Sequence, residues 1–260
     1  MKIVIIGTGN VATVLGRSIL QAGHDIVQVF GRNIDAAIIL ARELNSKPNN
    51  SWKQLNNAAD LILAAIADEA LYELERYMPG TRQVVAHTAG SVSKDVLKTI
   101  SENHGVLYPL QSLRKEQPVI TSIPMLINAS NESTFDVLLE LANSFSGQVS
   151  TAGDEERLKL HVAAVCANNF VTHLYAVAAD YCQLEHLDFN MLLPLIRETA
   201  ARIEHVPPRE LMTGPAVRND YVTIERHLEL LSPHPLFKKL YSQLTESIVE
   251  SGRRDHGNGS

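Results

Sequence analysis

The fold is decided near the start of the sequence, by Ile3-Val4-Ile5-Ile6-Gly7-Thr8-Gly9-Asn10-Val11-Ala12. Four apolar residues predict a buried strand, and the G-x-G-x-x-A run after it opens a helix. Gly7 permits a tight turn, Gly9 lets a ligand approach the backbone, and Ala12 keeps the helix close to the sheet. A helix N-terminus also offers amide groups and a positive dipole to phosphates. We expect residues 7–12 to bind a dinucleotide; the alternative is a structural turn or a site for another phosphate compound.

Apolar runs alternate with helical periodicity from residue 3 to about residue 130, which favours βαβ units in a mainly parallel sheet. The predicted strands are Ile3 to Ile6, Asp25 to Phe30, Leu61 to Ile66, Val84 to Ala86, Val106 to Tyr108 and Met125 to Ile127. The predicted helices between and after them are Val11 to Ala22, Asp35 to Leu44 and Phe135 to Phe145. The pattern is that of an α/β Rossmann fold.

The second half of the chain shows no strand pattern after Asp154, and an all-α domain is expected there. The predicted helices run from Asp154 to about Gln183, Phe189 to Glu204, Tyr221 to Leu231 and Leu236 to Val249. We predict a dinucleotide-binding domain over residues 1–150, a helical substrate or dimerisation domain over residues 151–250, and a disordered polar tail over residues 251–260.

The residues after the second strand indicate whether the nicotinamide cofactor is NAD or NADP(H). An NAD site places a carboxylate there for the ribose 2′-hydroxyl, whereas this chain has Gly31-Arg32-Asn33. Arg32, with its neighbour Asn33, can pair with the 2′-phosphate of NADP(H). NADP(H) is therefore the expected cofactor; the alternative is that Arg32 is a solvated loop arginine.

Composition and charge indicate which binding partners and which cell compartment to expect. The net charge is −6 and the pI about 5.9, which gives no attraction to nucleic acid. The sequence contains no run of 18 apolar residues, so we do not expect a membrane-spanning helix. Cys166 and Cys182 would lie ~24 Å apart on one helix, so we expect buried free thiols in a cytoplasmic protein. The histidines and cysteines lack zinc-like spacing, and no metal is expected.

Several segments carry a resemblance to known families. With Gly7 to Ala12, the segments AIAD (65–68) and HTAGS (87–91) look like the N-terminal domain of pyrroline-5-carboxylate reductases and β-hydroxyacid dehydrogenases. Together with YPLQS (108–112), KLH (159–161), NNF (168–170) and TGPAVRND (213–220), the chain resembles a family of predicted NADP oxidoreductases whose helical C-terminal domain has no assigned function. The resemblance also implies a C-terminal domain of the 6-phosphogluconate dehydrogenase type and a homodimer.

The resemblance implies that Ala67, Asp68 and Thr88 line the cofactor beside the glycine turn. It also implies that the long helix after residue 150 crosses a cleft near the nicotinamide. In β-hydroxyacid dehydrogenases this helix carries a catalytic lysine followed four residues later by asparagine. Here Lys159 is followed by Ala163, so that mechanism does not transfer directly.

The long helix offers other polar groups for chemistry. His161, Asn168 and Thr172 have spacings that place them on one helical face among apolar neighbours. His161 can donate a proton to a carbonyl or imine, and Asn168 can orient it. The alternative is a core or interface histidine with an asparagine that caps a loop. His87 can equally contact ribose or act catalytically.

The sequence thus predicts an NADP(H)-dependent oxidoreductase that reduces a small carbonyl or imine substrate at a cleft between two domains. Two alternatives remain at this stage. One is a non-catalytic NADP-binding or regulatory protein, because the Lys-x-x-x-Asn pattern is missing. The other is a reductase that exchanges hydride with a second cofactor such as a deazaflavin.

Overall fold

The structure, a computed structural model, describes residues 1–78, 80–116 and 123–257. It contains two compact units, Met1–Asn168 and Asn169–Ser260. The first unit is built on an eight-stranded sheet with the strand order β3-β2-β1-β4-β5-β6-β7-β8. The first six strands are mutually parallel, and β7 and β8 run the other way. The strands are β1 (Lys2–Ile6), β2 (Asp25–Phe30), β3 (Lys47–Asn49), β4 (Leu61–Ala64), β5 (Val84–His87), β6 (His104–Pro109), β7 (Met125–Ala129) and β8 (Val149–Thr151).

The order of the parallel strands reverses direction at β1, which is the switch point of a Rossmann fold. β1 pairs with β2 on one side and with β4 on the other. Its side chains alternate between the two faces, so Ile3 and Ile5 enter one apolar core and Val4 and Ile6 the other. The continuous apolar run is therefore explained by burial on both faces.

A glycine and a capping side chain set the ends of two helices in the first unit. They are α1 (Asn10–Gln21), α2 (Ile34–Glu43), α3 (Asp68–Leu71), α4 (Glu132–Phe145) and α5 (Asp154–Ala164). Gly23 ends the first of them with a φ of 86°, a conformation that favours glycine. The Asn131 side chain caps α4 by accepting the Thr134 N–H at 2.9 Å.

The second unit is helical over its described residues, as the sequence predicted. Its helices are α6 (Val171–Leu184), α7 (Leu193–Arg202), α8 (Tyr221–Leu230) and α9 (Pro235–Gly257). The Asp220 side chain caps α8 through the Thr223 N–H, and Pro194 stands in the first turn of α7, where its missing N–H has no cost.

The boundary between the units differs from the predicted one near residue 150. β8 adds a strand to the sheet at Val149–Thr151, and α5 is part of the first unit. A π-helical segment, Val165–Phe170, continues α5 into α6, and the division falls within it. The sequence showed a break at residues 151–153 because a three-residue strand has too little periodicity to detect.

Two smaller expectations also differ from the structure. The last helix continues to Gly257, so residues 251–257 are helical rather than part of a disordered tail; residues 258–260 lie outside the described residues. Cys182 is buried as expected, but Cys166 is exposed, and none of the residues of the π-helical segment in which it lies is buried.

The helical segment Asp154–Leu184 is long and apolar enough, by length and composition, to cross a membrane, although it contains no unbroken run of 18 apolar residues. Its most apolar 18-residue window has a mean hydropathy of 1.4, and 6% of that window is buried. One such helix is weak evidence for a membrane span, because interface and core helices can meet the same criterion.

The glycine turn after β1 generates a test of the fold. Gly7 has a φ of 126°, and a Cβ there would lie 2.1 Å from the carbonyl oxygen of Ala65. Gly7→Ala should therefore lower the free energy of unfolding by at least about 3 kcal/mol, from backbone strain and overlap together. Urea denaturation followed by circular dichroism measures the change.

Gly9→Ala is the matched control, because a Cβ at Gly9 meets no atom within 4 Å and its φ is −85°. It should cost no more than about 1 kcal/mol, the usual effect of a poorer N-cap residue. Equal losses in the two variants would show that the close approach of Gly7 to Ala65 does not constrain the fold.

Candidate functional site

A cavity of about 770 Å³ opens at the carboxyl ends of the parallel strands. All of its lining residues belong to the first unit. They come from the segments that follow β1, β2, β3, β4 and β5, from the end of β6 and from α5. In a sheet of this topology the carboxyl ends beside the switch point are where ligands bind.

The glycine turn forms one wall of the cavity. Gly7, Thr8, Gly9, Asn10 and Val11 line it. Gly9 is the N-cap of α1 and has no capping side chain, so the first-turn amides have no side-chain acceptor. The first turn also contains no acidic residue, which leaves the positive end of the helix dipole uncompensated and suited to an anion.

Ala12, the last residue of the G-x-G-x-x-A run, does not line the cavity. It is fully buried within one of the two apolar cores. Its small side chain thus serves the packing of α1 on the sheet, as the motif requires of that position, rather than contact with a ligand.

The loop after β2 brings Arg32 and Asn33 to the cavity. Arg32 is exposed, and its guanidinium has no hydrogen-bond or ion-pair partner among the residues that the structure describes. Asn33 caps α2, since its side-chain oxygen accepts the N–H groups of Asp35 and Ala36 at 2.9 and 3.2 Å. Arg32 is thus a free cation at the edge of the cavity, whereas the oxygen of Asn33 is already occupied.

An aromatic cluster borders the cavity near Arg32. The ring of Trp52 lies 3.9 Å from that of Phe30 and stacks on Tyr77 with a centroid distance of 5.4 Å. All three line the cavity. Their flat apolar surfaces suit a planar ring system such as a nucleobase.

The loops after β4 and β5 supply the residues that the resemblance implied. Ala67, Asp68 and Thr88 all line the cavity. The Ser91 hydroxyl donates a hydrogen bond to the Asp68 carboxylate and so connects the two loops. The cavity thus brings together ten of the eleven residues predicted to bind the cofactor, with Ala12 the exception.

Tyr108 and His161 meet at another part of the cavity wall. The hydroxyl of Tyr108 lies 2.9 Å from Nδ1 of His161, and both residues line the cavity. Gly90 leaves room for this contact, because a Cβ at that position would lie 2.7 Å from Nδ1 and 2.9 Å from Cζ of Tyr108. Burial raises the pKa of Tyr108, Arg157 opposes the increase and Asp68 adds to it, so the hydroxyl stays protonated at neutral pH.

The start of α5 is fixed to the loop after β5. Arg157 is almost fully buried, and its Nη2 donates to the carbonyl oxygen of Val92 and, at 2.9 Å, to Asp154. Asp154 also accepts from the Ser93 hydroxyl. Burial opposes its ionisation, but the hydrogen bonds from Ser93 and Arg157 hold the pKa of Asp154 below its ordinary value. These contacts set the position of α5, and hence of His161.

His87 does not take either of the roles considered for it. It is fully buried at the end of β5 and is not a cavity residue. Its Nδ1 accepts the Ala89 N–H at 3.1 Å, and its Nε2 lies 3.2 Å from the Ser93 carbonyl oxygen, to which it donates. Burial lowers its pKa to about 4, so the ring is neutral at physiological pH and holds the loop in place.

Asn168 and Lys159 are not part of the cavity wall either. Asn168 is exposed and lies in the π-helical segment, where hydrogen bonds run from i to i+5. The 3.6-residue spacing that placed it on the face of His161 therefore does not hold. Lys159 is exposed and pairs with Glu155 at 2.6 Å, consistent with the absence of the dehydrogenase lysine pattern.

The sequence interpretation missed three kinds of residue in the cavity wall. Tyr108 had a usable signal, since it lies at the carboxyl end of a predicted parallel strand. Gly90 lies in segment 87–91, which carries the family resemblance, but its role could not be inferred there because it depends on two side chains that lie distant in sequence. Trp52 and Tyr77 lie in short 3-10 helical or turn segments that show no periodicity.

Two family descriptions match the chain. Residues 2–87 match the family described as NADP oxidoreductase coenzyme F420-dependent, and residues 123–248 match a domain of unknown function, DUF2520. Comparison with curated proteins finds no match.

Solved structures extend the likeness to the whole chain. An imine reductase from Myxococcus stipitatus, in complex with NADP+, has a TM-score of 0.66 at 13% identity and covers 100% of this chain and 95% of its own. A pyrroline carboxylate reductase from Plasmodium falciparum, with NADP bound, has a TM-score of 0.60 at 12% identity, with 98% and 97% covered. At these identities the likeness shows a shared fold.

A third structure is much closer in sequence. A protein from Bacteroides fragilis, described as an NADP oxidoreductase, has a TM-score of 0.90 at 36% identity, and the match covers 96% of this chain and 98% of that one. Identity at this level over nearly the full length shows common membership, and the chain therefore belongs to the NADP oxidoreductase family that the Bacteroides fragilis protein represents.

Proposed function

We propose that this chain is an NADPH-dependent reductase of a small carbonyl or imine compound. The observation that carries the proposal is a single cavity that extends from the glycine turn and Arg32 to the hydrogen-bonded pair of Tyr108 and His161. It offers groups suited to a phosphorylated dinucleotide together with groups able to hold a proton. The cofactor supplies hydride when bound, and the protein supplies orientation and the proton.

The residues of the cavity fit NADP(H). The backbone of Gly7 to Val11 and the uncompensated N-terminus of α1 suit the pyrophosphate. The free guanidinium of Arg32 suits the 2′-phosphate, with Asn33 beside it. Ala67, Asp68 and Thr88 complete the wall along the loops after β4 and β5. Ala12 acts beneath this surface by holding α1 on the sheet.

His161 is the proposed source of the proton. It projects from α5, whose first turn is anchored by Arg157 and Asp154, and its ring lines the cavity. An imidazole can donate a proton from one ring nitrogen and accept one at the other, which suits general acid catalysis. The role of Asn168 as an orienting residue remains a prediction, and the variant Asn168→Ala tests it.

The cofactor assignment predicts a specific loss of affinity in Arg32→Ala. Because charge-assisted hydrogen bonds to a phosphate are worth roughly 1.5–3 kcal/mol, the Kd for NADPH should rise about 10- to 100-fold. The Kd for NADH, which lacks the 2′-phosphate, should change less than about threefold. Trp52 lines the cavity and is the single tryptophan of the sequence, so its fluorescence reports binding.

Gly9→Ala serves as the comparison variant in the same titration. It intrudes on the pyrophosphate side, and it should weaken NADPH and NADH alike. Equal affinity of the wild-type protein for the two nucleotides would contradict the role of Arg32.

The reductase proposal is tested with a panel of oxo acids and cyclic imines, by following the oxidation of NADPH through the absorbance of the reduced cofactor. His161→Ala should lower kcat by about 10²- to 10⁴-fold for the compound that is reduced, the usual contribution of a general acid. Glu155→Gln, an exposed change on the same helix, is the matched control and should leave kcat unaltered. NADPH binding without turnover of any compound would favour a non-catalytic NADP-binding protein.

A second candidate is a reductase that exchanges hydride between NADP(H) and a deazaflavin. The match of residues 2–87 to a family described as coenzyme F420-dependent favours it. A deazaflavin belongs in the same panel, and its reduction in place of every oxo acid and imine would select this candidate.

We further propose that the chain forms a homodimer through its second unit. Apolar side chains of this unit are left largely uncovered in the single chain, among them Phe170, Leu184, Met191 and Leu195, which are 58–77% exposed. Exposed apolar side chains of this size are suited to a protein interface, and a second copy of the same chain is the commonest partner. Analytical ultracentrifugation should show a dimer at micromolar concentration, and Leu184→Glu should shift it to monomer; a wild-type monomer would contradict the proposal.

A further inference from the structure

Tyr108 is a candidate for a more direct part in the reaction than holding His161 in place. It stands at the carboxyl end of β6, whereas His161 lies on α5, and the hydrogen bond of 2.9 Å joins the two elements. The rings meet edge to face at a centroid distance of 5.9 Å. A phenolic oxygen can accept one hydrogen bond and donate another, so Tyr108 can accept from Nδ1 and still offer its own proton to the cavity.

The glycine at position 90 supports a functional role for the contact between Tyr108 and His161. It is not among the glycines with a positive φ, so the backbone does not demand glycine there. What excludes a side chain is the pair itself, because a Cβ would lie within 3 Å of both partners. The loop after β5 therefore leaves open the space in which the hydroxyl and the imidazole meet.

The charged groups around Tyr108 come from two elements. Arg157 acts from α5 and lowers the pKa of the phenol, whereas Asp68, at the start of α3, raises it. Burial is the largest influence and also raises the pKa. The hydroxyl thus carries its proton throughout the neutral range, and Arg157 limits the cost of a transient negative charge on its oxygen.

On the basis of the proposed reductase function, we propose that Tyr108 gives the substrate its proton and that His161 replaces this proton through Nδ1. As the substrate carbon receives hydride, its π bond to oxygen or nitrogen breaks, and that atom takes the proton of the Tyr108 hydroxyl. The phenolic oxygen regains a proton from Nδ1–H of His161. Nε2, which has no hydrogen-bond partner among the described residues, takes a proton from water. The hydroxide left behind passes to bulk solvent and is neutralised there by the buffer.

The balance of this sequence is one hydride and one proton added to the substrate. Tyr108 ends neutral as it began, and the imidazole ends neutral with its proton on the other nitrogen. Exchange with water then removes the proton from Nε2 and returns one to Nδ1, which restores the starting state before the next turnover. The resting state must therefore have His161 protonated on Nδ1, with the phenol as acceptor. If Nε2 carried the single proton instead, the Tyr108 hydroxyl would be donating to Nδ1 and its proton would be committed to the histidine.

Nitrogen-15 NMR of the histidine rings tests this arrangement without a substrate. The wild-type protein, with and without NADPH, is compared with Tyr108→Phe, and His161→Gln assigns the signal. We expect neutral His161 to be protonated on Nδ1 in the wild type and to lose that preference in Tyr108→Phe. Protonation on Nε2 in the wild type would overturn the proposal whatever the activity.

The kinetic arm uses 2-methyl-1-pyrroline as the imine probe and pyruvate as the oxo acid probe. Tyr108→Phe should lower kcat by about 10²- to 10⁴-fold, while the Kd for NADPH changes less than about twofold. Gly90→Ala keeps both functional groups but separates them, and it should lower kcat by at least tenfold. Tyr72→Phe, at an exposed tyrosine outside the cavity wall, is the control and should match the wild type.

The outcomes separate this inference from the reductase proposal. Full kcat in Tyr108→Phe, with turnover lost in His161→Ala, would overturn the inference and leave the reductase intact with His161 as the direct donor. Protonation on Nδ1 with no turnover of either probe, oxo acids, imines or deazaflavin would confirm the arrangement of the pair and contradict the reductase.

Discussion

The approach of Gly7 to the carbonyl oxygen of Ala65 is the constraint on which the site depends. The turns after β1 and β4 meet there with no side chain between them, and Gly7 takes a φ of 126° to make the contact. Since β1 is the switch point of the sheet, this contact sets where the N-terminus of α1 begins. The unpaired amides, the free guanidinium of Arg32 and the loop with Ala67 and Asp68 are all arranged around that point.

A second set of contacts determines where the proton-bearing groups lie. Arg157 is buried with Nε and Nη1 unpartnered among the described residues, which is costly, yet its Nη2 holds the loop after β5 and the start of α5 together. His87 stabilises the same loop as a neutral ring. Arg157 and His87 thus lie behind the cavity wall and hold its loop in place, whereas Tyr108 and His161 form the surface of the wall.

Much of the first unit could be predicted because its signals are local. A four-residue apolar strand, a glycine turn and a following helix occur together within residues 2–21, and each supports the others. The family membership and the Rossmann fold that these local signals predicted were both confirmed. Strands β3 and β8 escaped prediction because three residues carry too little pattern.

The rest of the site could not be predicted because it depends on tertiary contacts. His87 looked like a site residue from its place after a strand, but its burial can be seen only in the fold. Asn168 followed helical spacing that the π-helical segment breaks. The partnership of Tyr108 with His161 spans 53 positions in sequence, and nothing in either segment indicates the other.

The uneven charge of the cavity wall has a consequence for how a nucleotide enters. Arg32 and the positive end of α1 lie at one part of the wall, whereas Asp68 and Glu73 contribute carboxylates elsewhere along it, in a chain whose net charge is −6. An incoming polyanion is repelled at long range and attracted only where the guanidinium and the helix end coincide. Its encounter with the protein is thereby oriented before any hydrogen bond forms, and dissolved salt, which screens both effects, should alter the association rate more than the final pose.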